Sequence, residues 1–280
     1  MPRLRSYAFP REEGSRPPHR RGGYAMIRVE HIGDATLYLA DALTSHELVT
    51  DIEAVVTDPP WGNATKCNAQ RFVTKSSPWW DNWDRTKVTA HADIIGDNEP
   101  FDPRSWVRRE TILWGANHFA ESLKPSGGWL IWDKRKNAED MAVNGWPLGE
   151  AELAWTNVLG APRVFRNLWA GLLRSSEKGQ YFHPTQKPVA LMEWCLGFVK
   201  ATTILDPFMG SGTTGVACAR LGRRFVGIEI EPKYFDIACR RLEEAQRQPD
   251  LFVQRPPQPA RVMDDAPLLA WGAAQLQAAE

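Results

Sequence analysis

The stretch from residue 188 to residue 246 constrains the fold more than any other. Pro188 to Lys200 carries apolar residues at helical spacing, with proline in the first turn, where its missing N–H removes nothing the helix would use. Thr203 to Leu205 is a short apolar run of strand type, and Gly212 to Leu221 reads as a second helix. Arg224 to Ile230 is a second strand, and Pro232 to Gln246 is a charged amphipathic helix. Strands and helices that alternate in this way call for a parallel sheet, because a parallel neighbour is reached only through a crossover. An α/β fold with a doubly wound, mostly parallel sheet is predicted.

Upstream, Met26 to His31 reads as a strand followed by Gly33-Asp34, and Leu37 to Leu48 as a helix. Ile52 to Thr57 is a buried strand. Further strand signals lie around Ile112-Leu113-Trp114-Gly115 and at Trp129 to Trp132, after a Lys124-to-Gly128 turn. One domain is expected over residues 26–246. Before it, residues 1–25 form a basic arm rich in arginine, proline and glycine, and after it residues 247–280 form a Pro-rich tail with a short helix. Residues 62–104 are long, polar and without periodicity, and 134–180 show little regular structure. Both are candidates for recognition segments, since long loops inside compact domains commonly carry function.

With 280 residues, 43% hydrophobic and 24% charged, the chain can bury a large single core. No apolar run approaches the roughly 20 residues of a membrane span. Cys67, Cys195, Cys218 and Cys239 are far apart, which speaks against a zinc site or a disulfide framework; no metal is expected, and a reducing cytoplasm fits. A formal net charge of zero leaves room for a nucleic-acid enzyme only through a local basic face.

Two stretches carry chemistry. Asp206-Pro207-Phe208-Met209-Gly210-Ser211-Gly212, followed by Thr213, joins a strand to a helix. Its glycines permit close backbone approach, and the helix start favours an anionic group. Glu229 ends the next strand, where an acid can accept from ribose hydroxyls. Glu231 shares its face and is the rival for that role. This geometry alone allows a nicotinamide dinucleotide, another nucleotide or S-adenosylmethionine. The second stretch, Asp58-Pro59-Pro60-Trp61, ends the Ile52–Thr57 strand. Its prolines remove two donors, so a carboxylate and carbonyls stand beside an aromatic ring. That set can accept both hydrogens of a planar amino group.

Asp58-Pro59-Pro60-Trp61, His183-Pro184-Thr185-Gln186-Lys187-Pro188 and Asp206 to Thr214 together resemble the motifs of the DNA amino-methyltransferases, in the order of their β-type permutation. The resemblance covers roughly residues 26 to 245. It implies an S-adenosylmethionine-dependent methyltransferase fold with a small inserted target-recognition region, and double-stranded DNA as partner. It further implies methyl transfer to adenine N6, with cytosine N4 as the alternative from the same site and a non-catalytic nucleic-acid-binding protein as a further one. Asp at the first motif position leans toward adenine. The family more often has Tyr or Phe where this chain has Trp61. The resemblance implies that Asp58, Pro59, Pro60 and Trp61 hold and stack the extruded base. Asp34, Thr185, Gln186, Lys187, Asp206, Phe208, Gly210, Ser211, Gly212, Thr213 and Glu229 would hold the cofactor, with Lys187 near its carboxylate; for Asp34 a helix N-cap is an equal alternative. Cytosine C5 chemistry is rejected, because it needs a thiolate after proline and no cysteine follows one. Arg71, Lys75, Trp79, Trp80, Lys134 and Arg135 interleave charge with aromatic surface and are the expected DNA contacts, or else part of a packed lid. A homodimer stays open as an assembly state, and neither a restriction partner nor the recognition sequence can be read from the residues.

Overall fold

The computed structural model describes residues 28–62, 95–135, 149–170 and 173–247. The basic arm, the Pro-rich tail and the segment holding Arg71, Lys75, Trp79 and Trp80 lie outside them. Eleven strands are described: β1 Arg28–Ile32, β2 Ala35–Leu39, β3 Ala54–Thr57, β4 Glu110–Trp114, β5 Gly128–Asp133, β6 Ala151–Thr156, β7 Arg163–Arg166, β8 Trp169–Ala170, β9 Leu173–Arg174, β10 Thr203–Asp206 and β11 Arg224–Glu229. Three α-helices accompany them: α1 Val189–Leu196, α2 Thr213–Arg220 and α3 Pro232–Arg247.

Nine strands form one sheet in the order β1-β2-β11-β10-β3-β4-β6-β5-β7, and β8 and β9 pair as a separate hairpin. Only β1 and β6 run against the other strands of the large sheet. The fold is α/β with a large, mostly parallel sheet, as the β-α-β-α pattern predicts. Each face carries its own core. Ala54, Val56, Ile112, Leu130, Ile204 and Phe225 pack with α1, α2 and α3 on one side. Val55, Leu113, Leu205 and Ile228 pack with Trp106, Phe119 and Trp155 on the other. That second face is covered by short 3-10 turns, Pro103–Trp106 and Ala116–His118 among them, and not by α-helices among the described residues. Strands buried on both faces have no polar side, which is why β3, β4 and β10 read as continuous apolar runs.

Two sequence expectations change. The predicted helix from Leu37 to Leu48 is instead strand β2 followed by a 3-10 turn at His46–Val49. Ala35, Leu37 and Leu39 are buried while Thr36 and Tyr38 are half-buried, a period of two, and both intervening residues favour strands. Gly33, at φ 56°, makes the two-residue turn that folds β1 back onto β2. Residues 134–180, expected to be irregular, contain β6 and β7 of the large sheet and the β8–β9 hairpin. The antiparallel β6 lies between β4 and β5, so its partners come from 40 residues earlier in the chain and more than 20. No local pattern announces such pairing.

Candidate active site

Strands β10 and β3 are neighbours, with Leu205 opposite Val55, and β11 lies on the far side of β10. The chain leaves β3 at Asp58, β10 at Asp206 and β11 at Glu229, so three acids converge at the carboxyl ends of three adjacent strands. In an open α/β sheet this edge is where ligands bind.

The Asp206 loop is pinned from several directions. Asp206 is buried, and its two oxygens accept from the Thr57 and Thr214 hydroxyls, both at 2.6 Å. A third bond comes from the Phe208 amide at 3.2 Å. Burial raises its pKa to about 6 against these bonds. Glu229 accepts from the amides of Gly210, at 2.9 Å, and Glu231, at 2.8 Å, and burial raises its pKa to about 7. The Ile230 amide adds a third bond. A carboxylate offers about four acceptor positions, so one remains for an incoming ligand. Arg241 of α3, unmarked by any motif, donates to the Ser211 carbonyl at 2.6 Å, the Ser211 hydroxyl at 3.0 Å and the Thr213 hydroxyl at 3.2 Å. Gly210 and Gly212 both have positive φ, 50° and 76°. The Phe208 ring packs edge-on against Phe101 and Trp106.

The Asp58 tip is held as firmly. Asp97, 4% exposed, accepts from the amides of Trp61 at 2.9 Å and Gly62 at 3.1 Å. The Trp61 ring stacks on His118, centroids 4.8 Å apart, and its Nε1 donates to Asp58 Oδ1 at 3.3 Å. It lies directly over Gly115, where an added Cβ would meet Nε1 at 1.9 Å. One face of Trp61 is therefore already taken, and the Lys187 ammonium also lies over the ring, 5.5 Å from its centroid.

Lys187, expected beside a cofactor carboxylate, is instead ion-paired with Asp58 Oδ2. Its Nζ also lies 3.1 Å from Glu152 of β6, which pairs in turn with Lys134. Lys187 is 5% exposed, so it meets an incoming ligand only through these partners. Burial pushes the Asp58 carboxyl above the usual carboxylate range, Lys187 opposing and Glu152 assisting. Burial works the same way on Glu152, but the ammonium groups of Lys187 and Lys134 overcome it and hold its pKa low. Lys187 stays protonated: its burial is outweighed by the two carboxylates.

Other expected residues fall differently. Asp34 sits in the β1–β2 turn, where its carbonyl accepts from the Phe225 amide at the start of β11. This is the amino edge of the sheet, roughly 13 Å along β2 from the acids, so Asp34 is not at the site. Asp41, two residues beyond β2, is at the correct edge, because the neighbouring Ala40 amide bonds the Glu229 carbonyl. Reading β2 as a strand would have found it. Gln186 bridges the Phe182 amide and Glu177, and Thr185 bonds His183; both brace their own loop. Glu177, in the left-handed region at φ 53°, also accepts from the Val189 amide at 2.7 Å and so caps α1. Lys134, expected to meet DNA, is tied to Glu152. Arg135 pairs with Asp133 and Glu150 and, with Arg166, Asn167 and Ser175, lines an open cavity of about 230 Å³.

Residues 108–240 match the model of the N6/N4 DNA methylase family. The chain is 50% identical over 87 residues to the type II methyltransferase M2.DpnII of Streptococcus pneumoniae, across 29% of this chain and 31% of that protein. It is 38% identical over 104 residues to M.HinfI of Haemophilus influenzae, across 34% of this chain and 29% of that protein. The chain thus spans about a third of the length of these relatives. Among solved structures it is similar to the M1.HpyAVI–SAM complex, at 23% identity and a TM-score of 0.44, covering 74% of this chain and 98% of that one.

Proposed function

We propose that this protein transfers a methyl group from S-adenosylmethionine to the N6 amino group of adenine in double-stranded DNA. One observation carries the reading: the Asp58 carboxylate stands on the strand beside the Asp206 loop, with Thr57 bonded directly to Asp206. An amino group held at Asp58 is then adjacent to a ligand held at Asp206 and Glu229. The donor set fits the cofactor. Glu229 keeps acceptor capacity for a ribose hydroxyl, Gly210 and Gly212 turn the loop through positive φ, and the Phe208 ring offers an apolar wall. When bound, the cofactor supplies an electrophilic methyl group.

The protein's own residues do the rest. Asp58 and the Pro59 carbonyl accept the two hydrogens of the amino group, which localises a lone pair otherwise delocalised into the base. The carboxylate also offsets positive charge developing on the nitrogen. The Trp61 ring receives the extruded base, whose unstacking costs a few kcal/mol. Asp97, His118 and Gly115 fix that ring before the base arrives, and positioning of this kind supplies much of the rate. Arg135 and the basic residues within 62–104 contact phosphates. Cytosine N4 is the second reading, since it presents the same pair of hydrogens. A soluble cytoplasmic enzyme fits these roles; among the described residues no helix is long and apolar enough to cross a membrane.

The test is a labelled-methyl assay on DNA, digested to nucleosides to identify the modified base, run beside calorimetry of cofactor binding. Asp58→Ala abolishes transfer and leaves cofactor binding largely intact. Wild-type turnover in Asp58→Ala would overturn the assignment, and label on cytosine would select the second reading.

A further inference from the structure

Four charged groups alternate in a row through the protein: Asp58 at the tip of β3, Lys187 before α1, Glu152 on β6 and Lys134 after β5. The proposed chemistry absorbs only the first. Its difficulty is charge: each Asp58 oxygen keeps an acceptor position beside Trp61 Nε1 on Oδ1 and Lys187 on Oδ2, but the Lys187 ammonium already offsets the carboxylate that the amino nitrogen needs as it becomes positive. Glu152 supplies a way out. Its Oε2 is buried and accepts no hydrogen bond among the described residues, although Lys187 Nζ is only 3.1 Å away. The distance is right and the direction is not, so a small rotation of the lysine terminus completes the bond.

We propose that Lys187 is handed from Asp58 to Glu152 when a target amino group enters, which makes Glu152 a positioning residue for the reaction. This rests on the methyl-transfer reading above. Lys187 keeps its proton throughout and no covalent bond changes. Before the base arrives, the lysine offsets the charge of Asp58, whose carboxyl burial pushes upward. Once the lysine has moved, the full carboxylate charge faces the nitrogen as it becomes positive. Lys134 holds the other Glu152 oxygen and so keeps the receiving carboxylate in place and ionised.

The groups that act on Asp58 are Lys187 and Glu152 directly, Lys134 behind Glu152, Asp206 on the adjoining strand, and His118 behind Trp61. Two substitutions move its titration in opposite directions. Glu152→Gln removes a negative charge and leaves Lys187 on Asp58, so the acid limb of kcat/KM shifts to lower pH. Turnover falls by about tenfold, while KM for DNA and Kd for S-adenosylmethionine stay within about twofold. Lys134→Met frees Glu152 to draw Lys187 away, so the acid limb shifts to higher pH. Charge removal alone moves the limbs in the same directions, because Glu152 acts on Asp58 through space, so the handover is read in turnover: without it, Glu152→Gln keeps wild-type turnover on the pH plateau.

Both variants and the wild type are assayed for methyl transfer across pH, with melting and cofactor calorimetry as controls. A wild type that methylates no amino group in DNA overturns the parent reading and this one with it. An active wild type with Glu152→Gln at full turnover on the pH plateau overturns the handover alone. Should Glu152→Gln not fold, Lys134→Met decides: a limb that stays or falls overturns the handover.

Discussion

At the scale of single residues, the site is set by buried acids whose protonation is poised near neutrality. Glu229 titrates at about 7 and Asp206 at about 6, both raised by burial. A ribose hydroxyl donates best to a charged carboxylate, so cofactor affinity should climb as pH rises from about 6 to 8, by up to about tenfold per unit below the pKa. Calorimetry across that range checks it, and Glu229→Gln should flatten the curve. The sign for stability is opposite. Both acids bind protons more tightly folded than unfolded, so the cofactor-free protein loses stability as pH rises from about 4, where the unfolded carboxyls titrate, to about 7. Two further residues act through Trp61. Asp97→Ala frees the Trp61 and Gly62 amides, and Gly115→Ala drives a methyl group into the indole. Each should reduce turnover by about tenfold, the scale on which small misplacements act, with cofactor affinity retained. Unchanged turnover in both would mean that Trp61 needs no fixing. Asp58, Asp206 and Glu229 were legible because each ends a strand in a recognisable pattern. Asp97 and Glu152 were not, since their meaning lies in what they touch: Asp97 bonds amides 35 and 36 residues away, and Glu152 a lysine 35 residues on.

At the scale of elements, α3 is more than a cover for the sheet. Through Arg241 it holds the Asp206 loop at three oxygens and faces Glu177, the residue that caps α1. Burial lowers the Arg241 pKa to about 10, which still leaves the guanidinium charged at neutral pH. Arg241→Met should therefore weaken S-adenosylmethionine binding by about tenfold, or 1.4 kcal/mol. It should also cost about 2–4 kcal/mol of stability, because several buried acceptors lose a charged donor. Denaturant unfolding and calorimetry separate the two effects; a stability loss with intact affinity would make Arg241 a packing residue only. The run from β10 to α3 was readable because each element is amphipathic or apolar within its own length. β2 was misread because five residues with a period of two were merged with the turn that follows them into one Leu37–Leu48 segment. β6 and β7 were missed because their partners, and so their register, come from elsewhere in the chain.

For the whole molecule, a formal net charge of zero leaves no long-range field to draw in DNA. Binding should then depend on a few local phosphate contacts. Replacing Arg71 or Lys75, which lie outside the described residues, should each lower the salt slope of DNA binding by about one. A slope unmoved by either substitution would place the phosphate contacts elsewhere, and Arg135 and Arg166 would be the next residues to replace.

The sheet order also governs how the chain comes into being. The Asp58 strand must pair with a strand whose last residue, Asp206, bonds Thr57 at a separation of 149 residues. During synthesis at about 5–20 residues per second, β3 waits on the order of ten seconds for β10 to be made. Until then its edge is open, apolar on both faces and able to pair with any other strand nearby. The Asp58 tip is thus made early and remains without its structural partner until the run from β10 to α3 is complete. A nascent or truncated chain ending before β10 is accordingly a client for chaperones, and the finished fold can appear only after the ribosome has passed its last strand.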